Sequence, residues 1–126
     1  MSLLADVVDR LTIEGELFEK QNDDSLRCIA CGHRCLIRAG RRGVCQVRYN
    51  ENGKLRVPWG YVAALQSDPI EKKPFYHILP ASHALTFGML GCDYHCPGCQ
   101  NWYTSQFGRD DNSNDAVNLI RKITPT

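Results

Sequence analysis

Apolar residues at the start of the chain recur at three- and four-residue spacing, as Leu3, Leu4, Val7, Val8 and Leu11. That period predicts one face of a short amphipathic helix covering part of a core. Gln21-Asn-Asp-Asp-Ser25 is a polar break before a compact loop region running from Cys28 to Cys45, punctuated by Gly32, Gly40 and Gly43. Two short apolar stretches follow, Val44-Cys-Gln-Val-Arg-Tyr49 and Lys54-Leu-Arg-Val57. Between them Asn52-Gly53 supports positive φ angles and suits a tight hairpin turn. Tyr61-Val-Ala-Ala-Leu65 reads as another short strand. Prolines at both ends of Asp68-Pro-Ile-Glu-Lys-Lys-Pro-Phe-Tyr-His77 favour an extended, ordered loop over a helix. Ala84-Leu-Thr-Phe-Gly-Met-Leu90 is mostly apolar and ends at Gly91, which predicts a buried strand with cysteines just past its C-terminal end. After a polar loop from Asp110 to Asn114, the residues Ala116, Val117, Leu119, Ile120 and Ile123 suggest the start of a helix.

The chain has 126 residues, 43% of them hydrophobic, so it can bury the modest core of one domain. Its 15 basic and 14 acidic side chains leave a net charge of +1, which gives no signal for nucleic acid or an anionic membrane. The one basic cluster, Arg34, Arg38, Arg41 and Arg42, reads as a solvated loop. No apolar stretch reaches the roughly 18 residues of a membrane span, and the N-terminus lacks a signal-peptide core. A reducing cytoplasm is the expected compartment. There, seven cysteines read as metal ligands rather than disulfides, and an odd number cannot pair completely.

The sharpest motif is Cys92-Asp-Tyr-His-Cys96-Pro-Gly-Cys99, a C-x3-C-x2-C spacing. Four thiolates ordinarily close a [4Fe–4S] cluster, one per iron. Three close-spaced cysteines hold three irons and leave the fourth open to an exchangeable ligand. A second constellation, Cys28-x2-Cys31-x3-Cys35-x9-Cys45, has four thiols for a tetrahedral structural zinc site or a second cluster, or three ligands and a bystander. His33, between these ligands, suits a solvent-facing loop position.

The stretch from Arg27 to Gln106 resembles radical S-adenosylmethionine enzymes of the AmmeMemoRadiSam type, related to pyruvate formate-lyase activating enzymes. The resemblance is carried in order by Arg27-Cys-Ile-Ala-Cys-Gly-His-Arg-Cys35, Gly40-Arg-Arg-Gly-Val-Cys45, Asp68-Pro-Ile-Glu-Lys-Lys-Pro-Phe-Tyr-His77 and Gly91-Cys-Asp-Tyr-His-Cys-Pro-Gly-Cys-Gln-Asn-Trp102. It implies that Cys92, Cys96 and Cys99 hold a [4Fe–4S] cluster whose open iron chelates S-adenosylmethionine. One electron would then split the sulfonium to release a 5′-deoxyadenosyl radical. The residue before the third cysteine is Gly98, where such motifs often carry an aromatic near the adenine; Tyr94 is the candidate for that contact. The implied partners are a protein substrate or partner proteins of the system, and an electron donor such as flavodoxin or ferredoxin.

The implied fold class is α/β, the start of a partial (β/α) barrel preceded by a small cysteine-rich region of strands and loops. Residues 1–25 would form the N-terminal helix and linker, 26–80 the cysteine-rich metal-binding region with its hairpin, and 81–126 the first βα unit. A complete barrel takes about 200 residues or more, so the chain reads as the N-terminal portion of a longer enzyme and is expected not to be competent alone. The alternatives are a non-catalytic zinc- or metal-binding module and an inactive fragment. A zinc knuckle using His95 is disfavoured, because His95 adjoins Cys96. His77 and His83 read as ordinary polar residues, and Trp102 and Tyr103 as packing. Glu71, Lys72 and Lys73 read as a solvated charge run, or by the resemblance as a packed segment near the barrel mouth.

Overall fold

A computed structural model describes residues 3–106, 108–109 and 120–122. The predicted N-terminal helix is α1 (Leu3–Arg10), followed by strands β1 (Thr12–Glu14), β2 (Phe18–Lys20), β3 (Leu26–Cys28) and β4 (Leu36–Ile37). Next come β5 (Tyr49–Glu51), β6 (Lys54–Pro58), β7 (Tyr61–Val62) and β8 (Ala64–Pro69), and then a 3-10 turn at Ile70–Lys72. The last elements are β9 (His83–Gly88), the single-turn helix α2 (Trp102–Ser105) and β10 (Arg121–Lys122). Among the described residues no helix is long and apolar enough to cross a membrane.

The strands form small antiparallel sheets in the orders β1-β6-β5 and β2-β3-β4, with two-stranded pairs β8-β9 and β7-β10. The β5–β6 turn is the one the sequence predicts. Glu51 pairs with Lys54 across it, and Asn52 and Gly53 have φ of 52° and 81°. Two consecutive positive φ angles match the right-handed twist of the flanking strands.

The α/β expectation does not hold: the described residues make a small β-rich fold with two short helices, not the opening of a (β/α) barrel. The decisive element is β9. It pairs antiparallel with β8 over six residue pairs, from Ala64↔Gly88 to Pro69↔His83, so the segment joining them is a hairpin connection rather than a helical crossover. Its side chains alternate between exposed and half-buried, with Leu85 73% and Phe87 63% exposed, so it is not buried on both faces. The apolar run is thus the strand of a ribbon. Of the helix expected over Ala116, Val117, Leu119, Ile120 and Ile123, most falls outside the described residues. Ile120 itself is not helical, and Arg121–Lys122 pair with β7 as β10.

Among the described residues, two apolar clusters make the core. One gathers Val8 of α1 with Val47, Tyr61, Ala63 and Leu90, and Leu11, Cys45 and Ile120 pack against it. The other gathers Leu26, Cys28, Ile37 and Leu55, with Phe18, Cys35 and Val57 around it. Burying such side chains stabilises by roughly 1.5–3 kcal/mol each. The fully buried Asn50 staples three segments. Its Nδ2 donates to the Asp24 and Ile37 carbonyls at 2.7 and 2.8 Å, and its Oδ1 accepts from the Gly53 N–H at 2.8 Å. Each of its polar groups is thereby satisfied away from water.

The charged segment after β8 is more ordered than a solvated run. Buried Asp68 accepts from Lys72 Nζ at 3.1 Å and Lys73 Nζ at 3.2 Å, which hold its carboxyl below the usual carboxylate range. Glu71 accepts the Ala81 N–H at 2.8 Å. In the basic cluster, Arg42 pairs with Asp9 at 2.5 Å and lies 4.8 Å over the Tyr49 ring, and Arg34 pairs with Glu19 at 3.4 Å.

Candidate metal centre

Residues 91–99 leave the end of the ribbon in a turn that only glycine fits. Gly91 has φ of 81°, and a Cβ there would overlap the Cys45 carbonyl oxygen and lie 3.0 Å from a Val47 methyl. Its N–H donates to the Thr104 carbonyl at 2.8 Å, tying the loop's start to α2. Cys92 and Cys99 are half-buried and Cys96 is exposed. The Tyr94 N–H donates to Cys92 Sγ at 3.4 Å, and the Ser105 hydroxyl lies 3.3 Å from Cys99 Sγ. Hydrogen bonds of this kind to sulfur lower its charge density and tune a bound metal.

The far side of the loop is held by residues that spacing did not reveal. Gln106 is 1% exposed; its Oε1 accepts from His95 Nδ1 at 2.5 Å, and its Nε2 donates to the Tyr94 carbonyl at 3.3 Å. Arg109 reaches across the loop to donate to the carbonyls of Tyr94 (3.1 Å), Cys92 (3.4 Å) and Val44. His95 is thus tied by its Nδ1 to Gln106, and its ring lies 5.5 Å from that of Trp102. Tyr94, the candidate adenine contact, is 65% exposed beside the cysteines, with its ring 6.1 Å from His33.

The N-terminal cysteines come together through the β3–β4 hairpin. The Cys28 N–H donates to the Cys35 carbonyl at 2.9 Å, and the Arg34 N–H to the Cys31 carbonyl at 3.2 Å, closing the turn between them. Cys28, Cys31, Cys35 and Cys45 all line one cavity of about 210 Å³, and so does Cys92 from the second motif. Burial pushes the Cys28 thiol pKa up, with Cys45 and Cys35 near enough to add to the rise, while a backbone hydrogen bond and Arg48 act against it. All seven cysteines are free thiols.

The donor chemistry fits the metals that the motifs suggest: soft thiols, sulfur-directed hydrogen bonds and neighbouring cations. The side-chain positions are a different matter. Among the described residues no three His, Cys, Asp or Glu side chains stand close enough together to hold a metal ion as placed. The structure therefore brings Cys92, Cys96 and Cys99 onto one clamped loop, and the other four around one cavity, without closing either set.

Comparison with known proteins gives one informative likeness. The chain is 42% identical over 99 residues to the uncharacterized protein MJ0808 of Methanocaldococcus jannaschii. The match takes in 78% of this chain but only 30% of the length of that relative. No family model matches the chain. No solved structure matches it either.

Proposed function

We propose that Cys92, Cys96 and Cys99 bind a [4Fe–4S] cluster and that the chain forms part of a radical S-adenosylmethionine enzyme of the AmmeMemoRadiSam type. The observation that carries this reading is the C-x3-C-x2-C loop itself, clamped between Gly91 and the Gln106–Arg109 pair with its thiols left free. Three thiolates take one iron each and leave the fourth coordinatively open. Bound there, the cluster and S-adenosylmethionine would supply reductive cleavage of the sulfonium and a 5′-deoxyadenosyl radical for hydrogen abstraction.

The chain's own residues do the positioning. Gln106 and Arg109 hold the Tyr94 carbonyl, and the exposed Tyr94 ring would be free to contact the adenine. The Tyr94 N–H and the Ser105 hydroxyl set the charge on the sulfurs. Exposure of Cys96 leaves a path for an electron donor such as flavodoxin or ferredoxin, and for a protein substrate. The cytoplasm is the compartment in which such thiols stay reduced.

Substitution Cys96→Ala tests the ligand assignment, because the residue is exposed and its loss does not disturb the core. After reconstitution without oxygen, the variant is expected to lose the broad visible absorbance that dithionite bleaches and to keep its fold by circular dichroism. Full cluster absorbance in Cys96→Ala would overturn the assignment.

A further inference from the structure

The two cysteine motifs are 47 residues apart between Cys45 and Cys92, yet they share a wall. The cavity lined by Cys28, Cys31, Cys35 and Cys45 lies between the two apolar clusters. Cys28, Cys35 and Ile37 come from one, and Cys45, Val47 and Leu90 from the other. Cys92 of the second motif lines it too.

Three contacts bind the cysteine loop to the N-terminal motif. Gly91 sits against the Cys45 carbonyl so closely that no Cβ fits. His33, in the turn between Cys31 and Cys35, donates from Nε2 to the Asp93 carbonyl at 2.7 Å. One Arg109 guanidinium nitrogen, Nη2, donates to both the Val44 and the Cys92 carbonyls. Each contact joins a backbone segment adjoining a first-motif cysteine to one adjoining Cys92. The position of residues 91–99 thus depends on that of residues 31–35 and 44–45.

We infer that Cys28, Cys31, Cys35 and Cys45 bind a zinc ion, and that its binding fixes the loop carrying Cys92, Cys96 and Cys99. Closing four thiols on Zn²⁺, at about 2.3 Å per Zn–S bond, draws the Cys31–Cys35 turn and Cys45 together and releases the protons of the thiols that ionise. A closed tetrathiolate site fits a place between two small cores, where its role is to join them. Arg48, on the cavity wall, offsets the negative charge of the thiolates. The same movement acts on residues 91–99 through Gly91, His33 and Arg109. The second half of the inference rests on the cluster reading only for its purpose; its mechanics can be measured on iron-free chain.

The test is backbone hydrogen exchange on the iron-free 126-residue chain, loaded with one equivalent of zinc or stripped by a chelator, with zinc counted by mass spectrometry. Zinc is expected at about one per chain and to be lost in Cys31→Ser, whose side chain is exposed. Removing it should speed exchange of residues 91–99 at least tenfold while the β5–β6 hairpin keeps its protection. Arg109→Ala should retain zinc yet show fast exchange of residues 91–99. Unchanged exchange on zinc removal, or a uniform rise across the chain, would overturn the coupling. Retention of zinc by Cys31→Ser, or iron and sulfide at these four cysteines instead, would overturn the site. Zinc binding and loop protection in a chain that takes up no iron would instead count against the cluster reading alone.

Discussion

Single side chains decide how well the small core holds. Tyr61 is 1% exposed, and its hydroxyl has no hydrogen-bond partner among the described residues. A buried hydroxyl left unpaired costs about 1–3 kcal/mol, so Tyr61→Phe is expected to raise stability by about 1 kcal/mol in urea unfolding at neutral pH. A loss of stability would mean that the hydroxyl is satisfied. Burial, with smaller contributions from Asp9 and Cys45, pushes the Tyr61 pKa from 10 up to about 12. Unfolded tyrosine gives up its proton near 10, while the folded residue keeps it to about 12. The folded state therefore loses stability as pH rises through that window, and Tyr61→Phe should remove this part of the alkaline loss. At this scale the second cysteine motif is legible in the sequence because eight consecutive residues carry its three thiols. Gln106 and Arg109 are not, since a glutamine and an arginine have no signature spacing. Arg109 acts on Val44, 65 residues away. Asn50 escaped for the same reason: its partners lie 13 and 26 residues off.

Elements whose causes are local are legible in the sequence, and those whose causes are distant are not. The α1 period and the Asn52-Gly53 turn are set within a few residues, and both are present. The apolar run at residues 84–90 has the composition of a doubly buried strand. Whether it lies parallel or antiparallel to a neighbour, however, depends on β8, which composition does not encode. As a ribbon, β8–β9 presents Leu65, Leu85 and Phe87 on one face. Leu65 is directly opposite Phe87, and the three are 50%, 73% and 63% exposed. An apolar face of this kind binds hydrophobic dyes and promotes self-association. The double substitution Leu85→Lys and Phe87→Lys should lower dye fluorescence and aggregation at unchanged zinc and iron content. Unfolding of that variant would show instead that the face is part of the core.

At the scale of the whole molecule, two small apolar clusters flank a cavity lined by five of the seven cysteines, and the start of the cysteine loop forms part of its wall. Neither cluster is large, so a metal that joins them would matter to folding as well as to chemistry. The matched relative is an uncharacterized protein, and the shared region makes up 30% of its length. The proposed iron–sulfur cluster at Cys92, Cys96 and Cys99 is tested most directly by counting iron, acid-labile sulfide and zinc in chain purified and reconstituted without oxygen. The prediction is about four irons and four sulfides per chain, with absorbance that dithionite bleaches, alongside about one zinc. Zinc alone, with no iron that can be reconstituted, would contradict it.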